Sequence, residues 1–221
     1  MKKFVIIVAG GSGLRMGTDI PKQFLEISGK PVLMHTIQVF YDYDPEIELI
    51  LVLPLAQQQY WAELCLKYAF SLAHLVVAGG ETRFQSVSNG LKLINDEGIV
   101  FIHDGVRPLV SRQTIERCYQ MAKKNGNAIP VLSIKESLRK QAGNQSVSVD
   151  RTLYLSVQTP QTFRTEQIHK AFEQDFDPAF TDDSSVAEKA GFPIFMVEGN
   201  RENIKITSPE DLIIAEAFLK I

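Results

Sequence analysis

Short apolar runs recur along this chain, spaced so that one helix fits between each and the next. Phe4–Val8, Ile47–Leu53, Leu75–Ala78, Ile99–Ile102 and Ala128–Leu132 are rich in β-branched residues. Segments of helical length, about 31–42, 55–70, 82–96 and 111–125, separate them. A strand that is apolar along its whole length needs cover on both faces. The alternation therefore predicts an α/β fold, a Rossmann-like, mostly parallel twisted sheet with helices on both faces. With 221 residues, 45% hydrophobic and 22% charged, the chain is long enough for one core and reads as a single domain, 1–221.

The rhythm breaks after the fifth run. From Ser133 to Val157 the apolar residues alternate weakly around a Gly143-Asn144 turn. This predicts a protruding β-hairpin arm at about 133–157. A lone hairpin is marginally stable in water, so the arm must lie against something. A second copy of the chain or the arm's own domain would both serve. Helices at about 164–175 and 182–190 and a strand at Pro193–Val197 are expected next. A last helix should open at Ser208-Pro209-Glu210-Asp211, which places a cap, a proline and two acids in helix-start order.

Net charge is −3, which offers no general basic field for nucleic acid. No apolar run approaches the ~20 residues of a membrane span. Met1-Lys2-Lys3 leads into a core strand rather than a secretory leader. Cys65 and Cys118 each sit in a helix-like segment and read as reduced thiols of a cytoplasmic protein.

Ala9-Gly10-Gly11-Ser12-Gly13 follows the first strand, with Arg15 and Lys22 just beyond. Closely spaced glycines let backbone amides turn toward an anion, and the two cations add fixed charge. A dinucleotide fingerprint starting at Gly11 would need glycine at Met16, and Gly29-Lys30 runs into Pro31 rather than the Ser/Thr of a Walker loop. Taken alone, Gly-Gly-Ser-Gly also fits an ordinary strand-to-helix turn. In open α/β sheets ligands bind at the carboxyl ends of strands, where this loop and His103-Asp104-Gly105-Val106-Arg107-Pro108 both fall. Asp104 could accept from hydroxyls, lie near a metal or merely cap a helix, and Arg107 could meet a phosphate. Attack of one phosphate on another needs fixed cations and amides more than an acid or base.

The strings through Arg15-Met16, Pro21-Lys22-Gln23, Gly79-Gly80-Glu81-Thr82-Arg83-Phe84-Gln85-Ser86-Val87, His103 to Pro108, Val149-Asp150-Arg151, Gln158-Thr159-Pro160-Gln161, Thr181-Asp182-Asp183 and Asn203 to Thr207 together resemble the 2-C-methyl-D-erythritol 4-phosphate cytidylyltransferase family. The resemblance spans nearly the whole chain. It implies joining CTP to that polyol phosphate with loss of pyrophosphate, in isoprenoid precursor synthesis, with Mg2+ or another divalent cation.

The resemblance also implies roles. Arg15 and Lys22 would stabilise the pentacoordinate transition state. Ala9, Gly10, Gly11, Ser12 and Gly13 would hold the triphosphate, while Gly79, Gly80, Glu81 and Ser86 would read the base. Asp104, Gly105, Arg107, Ser137, Thr159, Thr181 and Lys205, which the sequence places at a strand end, would hold the polyol phosphate. Arg151 would reach the site of a neighbouring subunit, making a homodimer with a shared site. Gly10, Gly105 and Val106 depart from the usual pattern and are similar to ribitol-5-phosphate cytidylyltransferase, a second reading. A catalytically silent nucleotide-binding regulator is a third. The trio Arg15, Lys22 and Lys205 argues against it, because a pure binder has little use for charge aimed at a transition state.

Overall fold

The computed structural model describes residues 1–10 and 20–220. In chain order they form β1 (Lys2–Val8), the two-residue strands β2 (Glu26–Ile27) and β3 (Lys30–Pro31), α1 (Val32–Tyr43), β4 (Glu48–Leu53), α2 (Leu55–Lys67), β5 (Leu75–Ala78) and α3 (Arg83–Leu91). There follow β6 (Gly98–Asp104), α4 (Arg112–Asn125), β7 (Asn127–Ser133), β8 (Arg139–Ala142), β9 (Gln145–Ser148), β10 (Leu155–Val157) and β11 (Gln161–Arg164). The chain ends with α5 (Thr165–Ala171), α6 (Asp183–Lys189), β12 (Met196–Glu198) and α7 (Pro209–Leu219).

The main sheet runs β10-β7-β11-β6-β1-β4-β5, with β12 beside β7. Its centre is parallel: β1 pairs with β4 and β6, and β4 with β5. Alternate residues of these strands face opposite sides. Val5, Ile7, Leu51 and Phe101 share one core with Phe40 of α1, Trp61 of α2 and Ile115 of α4. Phe4, Ile6, Val52 and Ile102 share the other with Val87 of α3, Ile168 of α5 and Val186 of α6. Each fully buried side chain of this size contributes about 1.5–3 kcal/mol, so the strand pattern decides the layering. The expected cover on both faces is present.

The far side of the sheet differs from expectation. β11 lies antiparallel between β6 and β7, so the fourth and fifth apolar runs are not neighbours. Its sequence, Gln-Thr-Phe-Arg, has one large apolar residue and no alternation to announce a strand. It is a strand because both neighbours offer it a ladder; Gln161, Thr162 and Phe163 are all buried. Several helices stop short of their expected ends, α3 at Leu91 and α5 at Ala171, and the late strand falls at Met196–Glu198.

The arm is present but shorter than 133–157. β8 and β9 pair from Arg139↔Ser148 to Ala142↔Gln145 around Gly143-Asn144. Leu155–Val157 leave the arm and pair with Val131–Ser133 in the main sheet. The segment holding Lys205 is irregular and not a strand. It is pinned by Ile206 N donating to Val106 O at 2.9 Å, with Ile206 packed against Val106 and Ala215. α7 opens as expected: Asp211 accepts from the amides of Thr207 and Ser208 at 2.7 and 2.9 Å.

Along the chain, β4 and β5 extend to one side of β1, and β6 then pairs on its other side. The strand order therefore reverses between β1 and β6, a switch point where a crevice opens at their carboxyl ends. Val8 and Asp104 stand opposite each other in register at its floor.

Candidate active site

A hollow of about 270 Å3 occupies this crevice. Ala9 and Gly10 border it from the end of β1, and Lys22 and Gln23 from the turn beyond. Gln23 is buried and donates to Ala9 O at 2.9 Å and to Gln57 Oε1 at 2.7 Å, which fixes the Lys22 turn against the strand end. Gly80, Glu81 and Ser86 form the next wall. Gly80 N donates to Ser86 Oγ at 3.1 Å, leaving the Ser86 hydroxyl hydrogen to donate elsewhere. A Cβ on Gly80 would stand 2.3 Å from Gln85 Cβ, so only glycine permits this approach. Gln85 cannot retreat, because it closes a capping box with Thr82 at the start of α3.

Arg83, Asp104 and Lys205 also line it. Asp104 Oδ2 receives Lys205 Nζ at 3.0 Å and Arg107 Nε at 3.1 Å, and Arg83 Nε lies 3.9 Å from Oδ1. Burial pushes the Asp104 carboxyl up, but Arg83, Lys205 and Arg107 together outweigh it and hold it well below the usual carboxylate range. Arg107 also donates to Asn203 O at 2.8 Å, tying the Lys205 segment to the end of β6.

Beneath Asp104 runs a directional chain of hydrogen bonds. Asp104 N donates to Thr159 Oγ1 at 3.1 Å, and Thr159 Oγ1 lies 3.0 Å from His103 Nδ1. His103 Nε2 lies 3.0 Å from Arg107 O, a carbonyl that can only accept. Burial pushes His103 down to about 4, so the ring is neutral at pH 7. Its hydrogen then sits on Nε2, and Nδ1 accepts from the Thr159 hydroxyl. The chain locks the 104–107 turn.

The structure thus brings Ala9, Gly10, Lys22, Gly80, Glu81, Ser86, Asp104 and Lys205 to one hollow. Gly11, Ser12, Gly13 and Arg15 lie outside the described residues. Gly79 stands behind the wall, its amide bonded to Leu53 O at 2.8 Å. Gly105 does not line the hollow. Its amide donates to Val8 O, its carbonyl accepts from Thr36, and a Cβ there would meet Ala9 Cβ at 2.8 Å. It is a close-packing glycine whose polar groups are already used. Thr159 likewise spends its hydroxyl on Asp104 and His103. Thr181 borders an adjoining hollow of about 160 Å3 that shares Arg83. Ser137 and Arg151 are exposed at the arm, where Arg151 donates to Lys135 O.

Residue-level reading missed Arg83, Gln23, His103 and Asp183, although all four stand inside the quoted strings. Arg83 and Asp183 pair at 2.5 Å across a sequence separation of 100 residues, which no local spacing reveals.

A divalent cation was also expected. Asp104 fits poorly as its ligand, since cations face both of its oxygens. Among the described residues no three His, Cys, Asp or Glu side chains cluster as a metal cage. The donor set suits an ion held by phosphate oxygens and water.

Residues 3–221 match the family model IspD, 2-C-methyl-D-erythritol 4-phosphate cytidylyltransferase. The enzyme of that name from Bacteroides thetaiotaomicron is 54% identical over 219 residues, covering 99% of this chain and all of the relative. The one from Alkaliphilus oremlandii is 39% identical, covering 99% and 95%. The crystal structure of 2-C-methyl-D-erythritol 4-phosphate cytidylyltransferase from Thermus thermophilus superposes with a TM-score of 0.83 at 30% identity, covering both chains fully. These matches favour methylerythritol over the ribitol reading suggested by Gly10, Gly105 and Val106. The chain belongs to the 2-C-methyl-D-erythritol 4-phosphate cytidylyltransferase family.

Proposed function

We propose that the hollow between β1 and β6 is where this cytidylyltransferase presses the phosphate of 2-C-methyl-D-erythritol 4-phosphate against the α-phosphorus of CTP. The observation that carries this reading is that Lys22 and Lys205, far apart in sequence, border the same hollow, facing Gly10, Gly80 and Asp104. The phosphate dianion is itself the nucleophile. It attacks in line, a new P–O bond forms, and pyrophosphate leaves with the electrons of the broken bond. Charge builds on the equatorial oxygens, where Lys22, Arg15 and the amides of the Gly10–Gly13 stretch would stabilise it.

Lys205 neutralises the incoming polyol phosphate. Asp104 accepts from its hydroxyls, oriented from below by Thr159 and His103. The Gly80-Glu81 wall and Ser86, backed by Gly79, read cytosine. Mg2+ carried by the triphosphate would screen its charge while these residues position it.

The arm is assigned to a homodimer in which Arg151 of one copy, with Ser137, completes the hollow of the other. Support comes from the exposed Leu153, Tyr154 and Val147 and from a cleft of about 1240 Å3 at the arm's base. Two free thiols, Cys65 and Cys118, agree with a cytoplasmic setting.

Pyrophosphate release with CTP and each of the two polyol phosphates tests the reaction. Turnover with the methylerythritol compound and at most weak turnover with the ribitol compound is expected; the reverse preference overturns the reading. Mixing Arg151→Ala with Lys22→Ala protein tests the shared site. Heterodimers should regain one working hollow, and a mixture no more active than its parents rules the shared site out.

A further inference from the structure

Asp104 uses its two oxygens unequally. Oδ2 takes both short contacts, from Lys205 and Arg107. Oδ1 faces Arg83 Nε at 3.9 Å, too long for a hydrogen bond. A guanidinium fork is shaped to close on a carboxylate with two parallel bonds, and here it stops short.

The reason lies at its other end. Arg83 Nη1 donates to Asp183 Oδ1 at 2.5 Å. Asp183 is 1% exposed and opens α6. That helix start is fastened to β11: Gln161 donates to Asp182 Oδ2 at 2.8 Å and accepts from Ser184 N at 2.7 Å. Asp183 therefore cannot follow if the Arg83 guanidinium moves toward Asp104. Among the described residues Arg83 Nη2 is buried with no hydrogen-bond partner, as is Asp183 Oδ2. The pair gives up bonds that a relaxed fork would make.

We infer that Asp183 is a positioning residue for the acceptor substrate: it tethers Arg83 short of Asp104, so that Asp104 Oδ1 stays open to a hydroxyl of the polyol phosphate. This rests on the reading of Asp104 as the hydroxyl acceptor. Released from Asp183, the guanidinium needs to advance by only about 1 Å to reach hydrogen-bond distance. It would then occupy Oδ1 and compete with the polyol.

Steady-state kinetics of the full chain, varying each substrate in turn, test this. Asp183→Asn should raise KM for the polyol phosphate at least tenfold and leave KM for CTP within twofold. Adding Arg83→Gln to it removes the competitor and should recover most of that loss. A double variant as poor as Asp183→Asn alone overturns the proposal, because the damage is then structural. If Asp183→Asn does not fold, the comparison of Arg83→Gln with Arg83→Gln/Asp183→Asn decides. Once Arg83 is gone, losing Asp183 should move polyol KM by less than twofold, and a larger change overturns the tether. Asp104→Asn separates the two levels. An unchanged polyol KM there sinks the reading of Asp104 and the tether together. A raised one with no effect of Asp183→Asn sinks the tether alone.

Discussion

The crevice and the arm hold their charges in opposite ways. In the crevice Asp104 is 7% exposed and ringed by Arg83, Arg107 and Lys205, each anchored on a different segment of the fold. In the arm every residue of β8 and β9 is exposed, and Arg139 turns back onto Ser146 of its own hairpin. The crevice charges are held in place by one another, so a substrate bound there would meet a field that needs no reorganisation. The arm's charges can gain comparable order only by lying against another surface. Preorganisation here follows from burial and cross-linking between segments rather than from the number of cations.

That contrast can be broken by experiment. The largest expected effect is on turnover in the crevice. Lys22→Ala should lower kcat by ~10²–10³, about 3–4 kcal/mol of transition-state stabilisation, with a much smaller change in CTP binding. Equal losses in both would make Lys22 a ground-state binder. Next is stability. Asp104→Ala leaves Arg107 and Lys205 without their shared counter-charge and should cost about 3 kcal/mol in urea unfolding. A cost near zero would mean that the ring is not preorganised.

A comparable effect should appear with pH. His103 titrates at about 4 in the fold against 6.5 unfolded. The unfolded chain therefore binds a proton that the fold refuses, and stability falls as pH drops from 6.5 toward 4. The loss from this group is roughly 3 kcal/mol. His103→Asn should flatten that stretch of the stability–pH curve, and an unchanged slope would rule the group out. The smallest effect belongs to the arm. Arg139→Ala should change stability by less than ~0.5 kcal/mol. A larger loss would show the hairpin to be as cross-linked as the crevice.

The central sheet was legible because β1, β4, β5 and β6 advertise themselves as unbroken apolar runs. β11 was hidden, since Gln161-Thr162-Phe163-Arg164 becomes a strand only through neighbours distant in sequence. In the site, the end of β6 could be placed from local pattern, while the role of the Gly80 wall and that of Lys205 came through family resemblance. The ring around Asp104 could not be read. Arg83, Arg107 and Lys205 meet there through tertiary packing, and Asp183 enters only through Arg83. Gly105 shows the reverse error, as a glycine beside the site whose work is packing.

The seam between β1 and β6 has a consequence for how such an enzyme changes its diet. These strands are partners in the sheet yet are not consecutive in the chain, so no single connection joins one to the other. In the proposed reading one rim would carry the nucleotide and the other the acceptor, and each could be rewritten without lengthening or straining its opposite. A lineage could exchange one sugar alcohol for another by editing the stretch after β6, leaving its energy donor untouched.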